Sequence, residues 1–90
     1  MIQLGISAFY HDSAACIIVD GKVVAAAEEE RFTGVKHDDS FPINAINYCL
    51  EYARISISNV KEVCWYEKPR IKEQRVKKIF NKRPFRTFFL

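Results

Sequence analysis

The sequence predicts an α/β domain built on a mixed sheet. Residues 2–7, "IQLGIS", alternate strictly, with Ile2, Leu4 and Ile6 on one face and Gln3, Gly5 and Ser7 on the other. Two further strand-like runs are joined by Asp20-Gly21, a strong two-residue hairpin signal. A segment of helical period then leads to another short apolar run, "EVCWY".

Taken in order, the first strand spans 2–7. The second spans 13–19, "SAACIIV", a nearly continuous apolar run of the kind covered on both faces. The third spans 22–28, "KVVAAAE", whose small alanines allow close packing. A polar loop follows through Gly34 to Ser40. Pro42 suits the first turn of a helix, where its missing N–H costs nothing. Ile43, Ile46, Leu50 and Ala53, with Cys49 beside them, give 42–54 an apolar helical face. "SISN" breaks that pattern, and Ser58 or Asn59 is expected to cap one short turn. A fourth strand covers 62–66 and ends before Pro69; a weakly amphipathic helix covers 70–81. The closing "RPFRTFFL" exposes aromatics without visible partners.

The resulting order is β-β-β-α-β-α. Two short turns make the first three strands an antiparallel meander. A right-handed crossover then sets the fourth strand parallel to the first, on its free side, for a sheet order of 3-2-1-4. That is the opening half of a ribonuclease-H-like or actin-like domain, in which a fifth parallel strand would follow. The chain is expected to stop before that strand, so residues 1–90 read as an amino-terminal fragment, a partial actin-like domain.

This topology brings several polar segments to one edge of the sheet. The end of strand one, the start of strand two and the ends of strands three and four all lie there, where open α/β sheets usually bind ligands. The segments are Ala8 to Ser13, Glu29 to Thr33, Lys36 to Asp38 and Tyr66 to Lys68, and they include both histidines. Ser13 could hold phosphate oxygens through its hydroxyl and nearby N–H groups. Asp12 could hold Mg²⁺ through water. His11 could move a proton near neutral pH or donate to a developing negative charge. Arg31 could pair with a carboxylate or phosphate. Each residue also has an ordinary reading: a solvated loop histidine, a turn-closing aspartate, and a solvated charged face for Glu28–Glu30 and Lys36.

Composition narrows the classes. Nearly half the residues are hydrophobic, so a core can form. No apolar run approaches the roughly 20 residues that span a bilayer, and no charged leader precedes the first strand, so a cytoplasmic protein without membrane partners is expected. Cys16, Cys49 and Cys64 lack metal-ligand spacing and sit in apolar stretches, as buried reduced thiols do. Residues 1–66 carry a net charge of −4 and residues 67–90 a net charge of +7. The basic residues Lys72, Arg75, Lys77, Lys78, Lys82, Arg83 and Arg86 interleave with Phe80, Phe85, Phe88 and Phe89. Nucleic-acid binding is disfavoured there, because base stacking needs aromatics on a rigid platform and these read as core residues.

Residues 4–50 resemble the amino terminus of the O-carbamoyltransferases, the nodulation and antibiotic-tailoring carbamoyl-transfer enzymes. "SAFYHDSAA", "EEERFT", "KHD" and "FPINAI" occur in order with that family's spacing, and the likeness continues through "ISISNVKEVCWYEKP" and weakly to the end. More distantly the stretch is similar to the actin-like tRNA threonylcarbamoyl-transfer proteins, whose "D-[DE]-T-A" loop stands where this chain has His11-Asp12-Ser13-Ala14. The resemblance implies two-domain enzymes that use ATP, Mg²⁺ and carbamoyl phosphate. One domain makes carbamoyl-adenylate, and the actin-like domain moves the carbamoyl group to an acceptor hydroxyl. It implies that His11 serves the transfer step, as base or oxyanion stabiliser, and that Asp12 and Ser13 line the phosphate side. It places Arg31, His37 and Asp38 at motif positions as substrate-binding candidates. The family's transition-metal motif, H-x-x-x-H, is absent, since the two histidines stand 26 positions apart, so no metal ligands are assigned. Gly34 stands where many relatives carry a basic residue. These 90 residues alone are expected to be inactive. Two other classes remain: a non-catalytic folding or interaction module, and a fragment of an actin-like ATPase or sugar kinase, which would ordinarily carry Asp at the place of His11.

Overall fold

The computed structural model describes residues 1–9, 12–66 and 86–89. Its strands are β1 (Ile2–Ser7), β2 (Ala14–Val19), β3 (Lys22–Glu28), β4 (Glu62–Tyr66) and β5 (Arg86–Phe89), and its helices are α1 (Glu30–Thr33) and α2 (Ile43–Ala53). The fold is α/β, and its mixed sheet contains the expected order 3-2-1-4. β1 pairs antiparallel with β2 and parallel with β4, and β2 pairs antiparallel with β3.

The β2–β3 hairpin forms as its sequence requires. Asp20 and Gly21 take φ of 50° and 82°, the left-handed pair that matches the twist of two antiparallel strands. Val24 is the extra residue of a β-bulge, since Ile17 faces Ala25 while Ile18 faces Val23.

One expectation is corrected at the carboxyl end. Arg86–Phe89 forms β5, parallel to β4, with Val63 facing Thr87 and Cys64 facing Phe88. The chain therefore contains the fifth strand before which it was expected to stop. Four residues are too few to display a period, which is why this strand reads as an unpartnered aromatic tail. The helix expected over 70–81 and the basic segment around it lie outside the described residues.

α2 packs across β2 and β3 on the face formed by Leu4, Ile6, Ala15, Ile17, Ala25, Val63 and Trp65. Its buried residues are Ala45, Ile46 and Cys49, whereas Ile43 is 44% exposed. The helix is thus rotated from the face its apolar spacing suggested. Pro42 stands at the N-cap, one residue before the first turn. The short 3₁₀ turn Ile57–Asn59 has Ser56 at its N-cap, and of the two expected capping residues Asn59 takes part from within the turn. Ser56 Oγ accepts from the Ser58 N–H, and Asn59 Oδ1 accepts from the Ser56 N–H, closing a capping box.

All three cysteines are free. Cys49 is fully buried, and burial pushes its thiol up to about 11. Cys16 and Cys64 flank Gly5 across the register on the sheet's second face, and burial raises both of their pKa values as well. Gly5 is required by this packing: a Cβ there would lie 2.7 Å from Cys16 Sγ. Gly5→Ala is expected to cost about 1–2 kcal/mol through overpacking. Adding Cys16→Ala removes the obstructing sulfur and should recover most of that loss, as read from urea midpoints of the two single variants and the double variant.

Candidate functional site

The carboxyl edge of the sheet is where the polar segments meet. β1 ends at Ser7, and Phe9 turns the chain with φ 66°. The segment 8–13 links β1 to β2 in the chain. It is held at both described ends by the turn after α1: the Phe9 N–H donates to the Asp39 carbonyl and the Ser13 N–H to the Asp38 carbonyl, each at 2.8 Å. The Ser13 carbonyl in turn accepts from the Glu29 N–H at 2.8 Å, which ties the same segment to the end of β3. Phe9 stacks on Trp65 and Phe41 with centroid distances of 6.2 and 6.5 Å, so the segment rests on the core as well as on the turn.

The turn is organised by Asp38. Its Oδ2 accepts from Thr33 Oγ1 at 2.7 Å, and its Oδ1 accepts from the Ser40 N–H and Ser40 Oγ at 2.9 and 2.6 Å. The Ser40 and Thr33 hydrogen bonds hold the Asp38 carboxyl below the usual carboxylate range. Just before it, His37 takes φ 56°. Its N–H donates to Glu30 Oε1 at 2.9 Å, and its Nδ1 lies 2.8 Å from Asp12 Oδ1. The hydrogen bond and charge of Asp12, with further help from Glu30 and Glu28, raise the pKa of His37.

Three segments therefore contribute to one cluster. One ligand-type atom each from Asp12, Glu30 and His37 lies within 4.8 Å of the others. Spacing along the chain did not reveal this set, because its members are brought together only by the meander and the turn. Of the sequence-derived candidates, Asp12, His37 and Asp38 lie together here. Ser13 adjoins them, but its side chain is only 1% exposed and its N–H is engaged by Asp38. Arg31 is drawn elsewhere, with its guanidinium 5.6 Å from the ring centroid of the half-buried Tyr48 of α2. His11 lies outside the described residues, between the two anchored ends of its segment.

Glu29 was read with its neighbours as a solvated charged face, and the structure corrects this. It is 1% exposed and accepts from the Ala45 N–H at 2.8 Å, Asn44 Nδ2 at 2.8 Å and the Asn44 N–H at 3.3 Å. It supplies the cap that Pro42 cannot give α2.

The two titrating groups of the turn respond to pH in opposite senses. His37 has its pKa raised above the ordinary 6.5, so the link to Asp12 is fully present below 6.5 while Asp12 is ionised, and is lost as pH rises through the raised value. Asp38 has its pKa lowered from 3.8, so its contribution is full above 3.8 and is lost as pH falls through the lowered value. The turn is expected to hold the 8–13 segment best between these two reference values. Amide exchange at Phe9 and Ser13, measured from pH 4 to pH 9 and corrected for intrinsic rates, should show protection falling at the alkaline end.

Comparison with known proteins gives the family. The family model described as Carbamoyltransferase N-terminus matches residues 2–87. An uncharacterised protein of Synechocystis, sll1178, is 56% identical over 73 residues, covering 81% of this chain and 12% of the relative. Nodulation protein NolNO of Sinorhizobium fredii is 45% identical over 58 residues, covering 64% of this chain and 8% of the relative. An uncharacterised 19.2 kDa protein of Rhizobium etli is 40% identical over 60 residues, covering 67% of this chain and 35% of the relative. The chain thus spans at most about a third of the length of these curated relatives. Among the described residues, no helix is long and apolar enough to cross a membrane. With the family model covering nearly its whole length, the chain belongs to the carbamoyltransferase N-terminal family.

Proposed function

We propose that this chain forms the amino-terminal part of an actin-like domain that transfers a carbamoyl group to an acceptor hydroxyl. The donor is carbamoyl-adenylate made from carbamoyl phosphate and ATP. The observation that carries this reading is the joining of segment 8–13 to the turn 33–40 at the carboxyl edge of the sheet, in a chain of the carbamoyltransferase family.

The chemistry assigns the roles. The acceptor oxygen attacks the carbamoyl carbonyl while its proton passes to a base; the C–O bond to the adenylate phosphate breaks, and AMP leaves with the electron pair. His11, bracketed by the anchored Phe9 and Ser13, is the base or the donor to the tetrahedral oxyanion. Asp12 lies on the phosphate side. The carboxylates of Asp12 and Glu30 could hold a divalent cation through water, with the His37 ring beside them. Bound there, Mg²⁺ would supply charge neutralisation for phosphate oxygens. Ser13 serves this site by anchoring the segment; its hydroxyl would reach a phosphate only if the segment moved. Arg31 is free to swing from the Tyr48 face toward an anionic substrate, and His37 orients Asp12.

Two measurements test the reading. The purified chain, incubated with ATP, Mg²⁺, carbamoyl phosphate and an acceptor sugar, is expected to form no carbamoylated product, because the chain spans at most about a third of the length of its curated relatives. Robust turnover would overturn the view of the chain as one part of the enzyme. Titration of the isotopically labelled chain with Mg²⁺–ATP should shift amide resonances of residues 9–13 and 30–38. Shifts confined to the opposite end of the sheet would refute the placement of the site.

A further inference from the structure

We infer that Asp38 is a positioning residue, whose buried carboxylate fixes the 33–40 turn so that the carbonyls of residues 38 and 39 clamp the loop carrying His11 and Asp12. The sequence offers Asp38 as a substrate contact, but both of its oxygens are already engaged within the turn. Oδ2 accepts from Thr33 Oγ1, and Oδ1 accepts from Ser40 N–H and Oγ. Its residue is 9% exposed, which leaves little of it to meet a ligand.

The connection to the loop is short and runs through backbone hydrogen bonds. Holding Asp38 Oδ1 against the Ser40 N–H closes a two-residue turn around Asp39, of the type aspartate favours. That closure orients two successive carbonyls. The Asp38 carbonyl receives the Ser13 N–H, and the Asp39 carbonyl receives the Phe9 N–H. These two bonds bracket positions 10–12. The Thr33 contact ties the same carboxylate to the end of α1, whose Glu30 holds the His37 N–H. The His37 ring then meets Asp12 from the outer side. One carboxylate thus sets the spacing between α1, the turn and the loop. The carbamoyl-transfer reading says what the loop would do; the clamp itself rests on geometry alone.

The test is site-resolved hydrogen exchange on the labelled chain at pH 6, with Asp38→Asn and, separately, Thr33→Val. Asparagine keeps an oxygen for Ser40 but turns an NH₂ toward the Thr33 hydroxyl, reversing that hydrogen bond and removing the charge that strengthens it. Valine removes the Thr33 donor, together with the exposed acceptor of the Val35 N–H, and leaves Asp38 intact, so it reports on the Thr33 side of the clamp even where the Asp38 variant folds poorly. Both are expected to speed exchange at the Phe9 and Ser13 amides by roughly tenfold. Amides of Leu4 and Ile17 in the core should keep their wild-type rates. Unchanged exchange at Phe9 and Ser13 overturns the inference. So does acceleration that appears equally at Leu4 and Ile17, since that reports only a general loss of stability. Neither outcome bears on Mg²⁺–ATP binding by the wild-type chain, so failure of the clamp and failure of the carbamoyl-transfer reading remain separable.

Discussion

Glu29→Ala is expected to lower the unfolding free energy by about 2–3 kcal/mol, measured as a shift in the urea midpoint at unchanged slope. The reason is local and specific. The first turn of α2 presents N–H groups that have no partner within the helix, and Pro42 at the N-cap has no side chain that could accept them. The Glu29 carboxylate, arriving from the end of β3, takes the Ala45 and Asn44 N–H groups and the Asn44 side-chain amide. The positive end of the helix dipole favours its negative charge. Removing the carboxylate leaves the buried Ala45 N–H without an acceptor, a loss of about 1–3 kcal/mol, and turns the Asn44 donors over to water at a smaller cost. A domain of this size has roughly 5–15 kcal/mol to lose. Glu29→Gln is the informative control. It keeps the length and one acceptor oxygen, but turns an NH₂ toward groups that are themselves donors, so it should cost about half as much. Equal midpoints for wild type and Glu29→Ala would show that α2 is not capped from β3.

The same residue shows where sequence reading stops. β1, β2, β3 and β4 were legible because alternation, apolar continuity and the Asp20-Gly21 hairpin each correspond to one backbone geometry. The parallel placement of β4 beside β1 followed from the handedness of crossovers. Three consecutive glutamates carry no such signal: Glu28, Glu29 and Glu30 have one composition and three different surroundings. Only the register of β3 against β2 turns Glu29 inward beneath α2. Ile43 fails in the opposite sense. It fits the helical spacing, yet Ala45 takes the inward position because α2 lies close to a sheet whose facing residues include Ala15 and Ala25.

The edge at which the site assembles was legible as a consequence of topology, and Asp12, His37 and Asp38 do meet there. Their division of labour was not legible. Asp12 and His37 are 25 positions apart, and their link depends on the left-handed backbone of His37, which nothing in "VKHDD" specifies. Asp38 looks like any exposed loop aspartate until Thr33 and Ser40 are seen on its two oxygens. Arg31 sits at a motif position, yet it rests on an aromatic ring of α2, because a cation beside Tyr48 is attracted to the ring face.

Trp65→Ala is expected to destabilise the fold by about 3–5 kcal/mol, the range for deleting a fully buried aromatic side chain. Trp65 is completely shielded on β4, and it is the side chain on which Phe9 and Phe41 rest, with centroid distances of 6.2 and 5.6 Å. The consequence should reach beyond stability. Phe9 holds a left-handed backbone angle that costs energy for a residue with a Cβ, and its stacking against Trp65 helps offset that cost. With the indole gone, Phe9 loses its support, and the Phe9 N–H bond to the Asp39 carbonyl should open more often. Trp65→Phe retains a ring while removing volume, and is expected to cost about 1–2 kcal/mol while leaving that bond protected. Unfolding must be followed by circular dichroism, since the chain has one tryptophan and both variants remove it. Exchange at the Phe9 amide supplies the second readout. Acceleration at Phe9 in Trp65→Ala beyond that of the Leu4 amide would show that the aromatic stack supports the loop. Identical acceleration at both amides would show that Trp65 acts on the core alone.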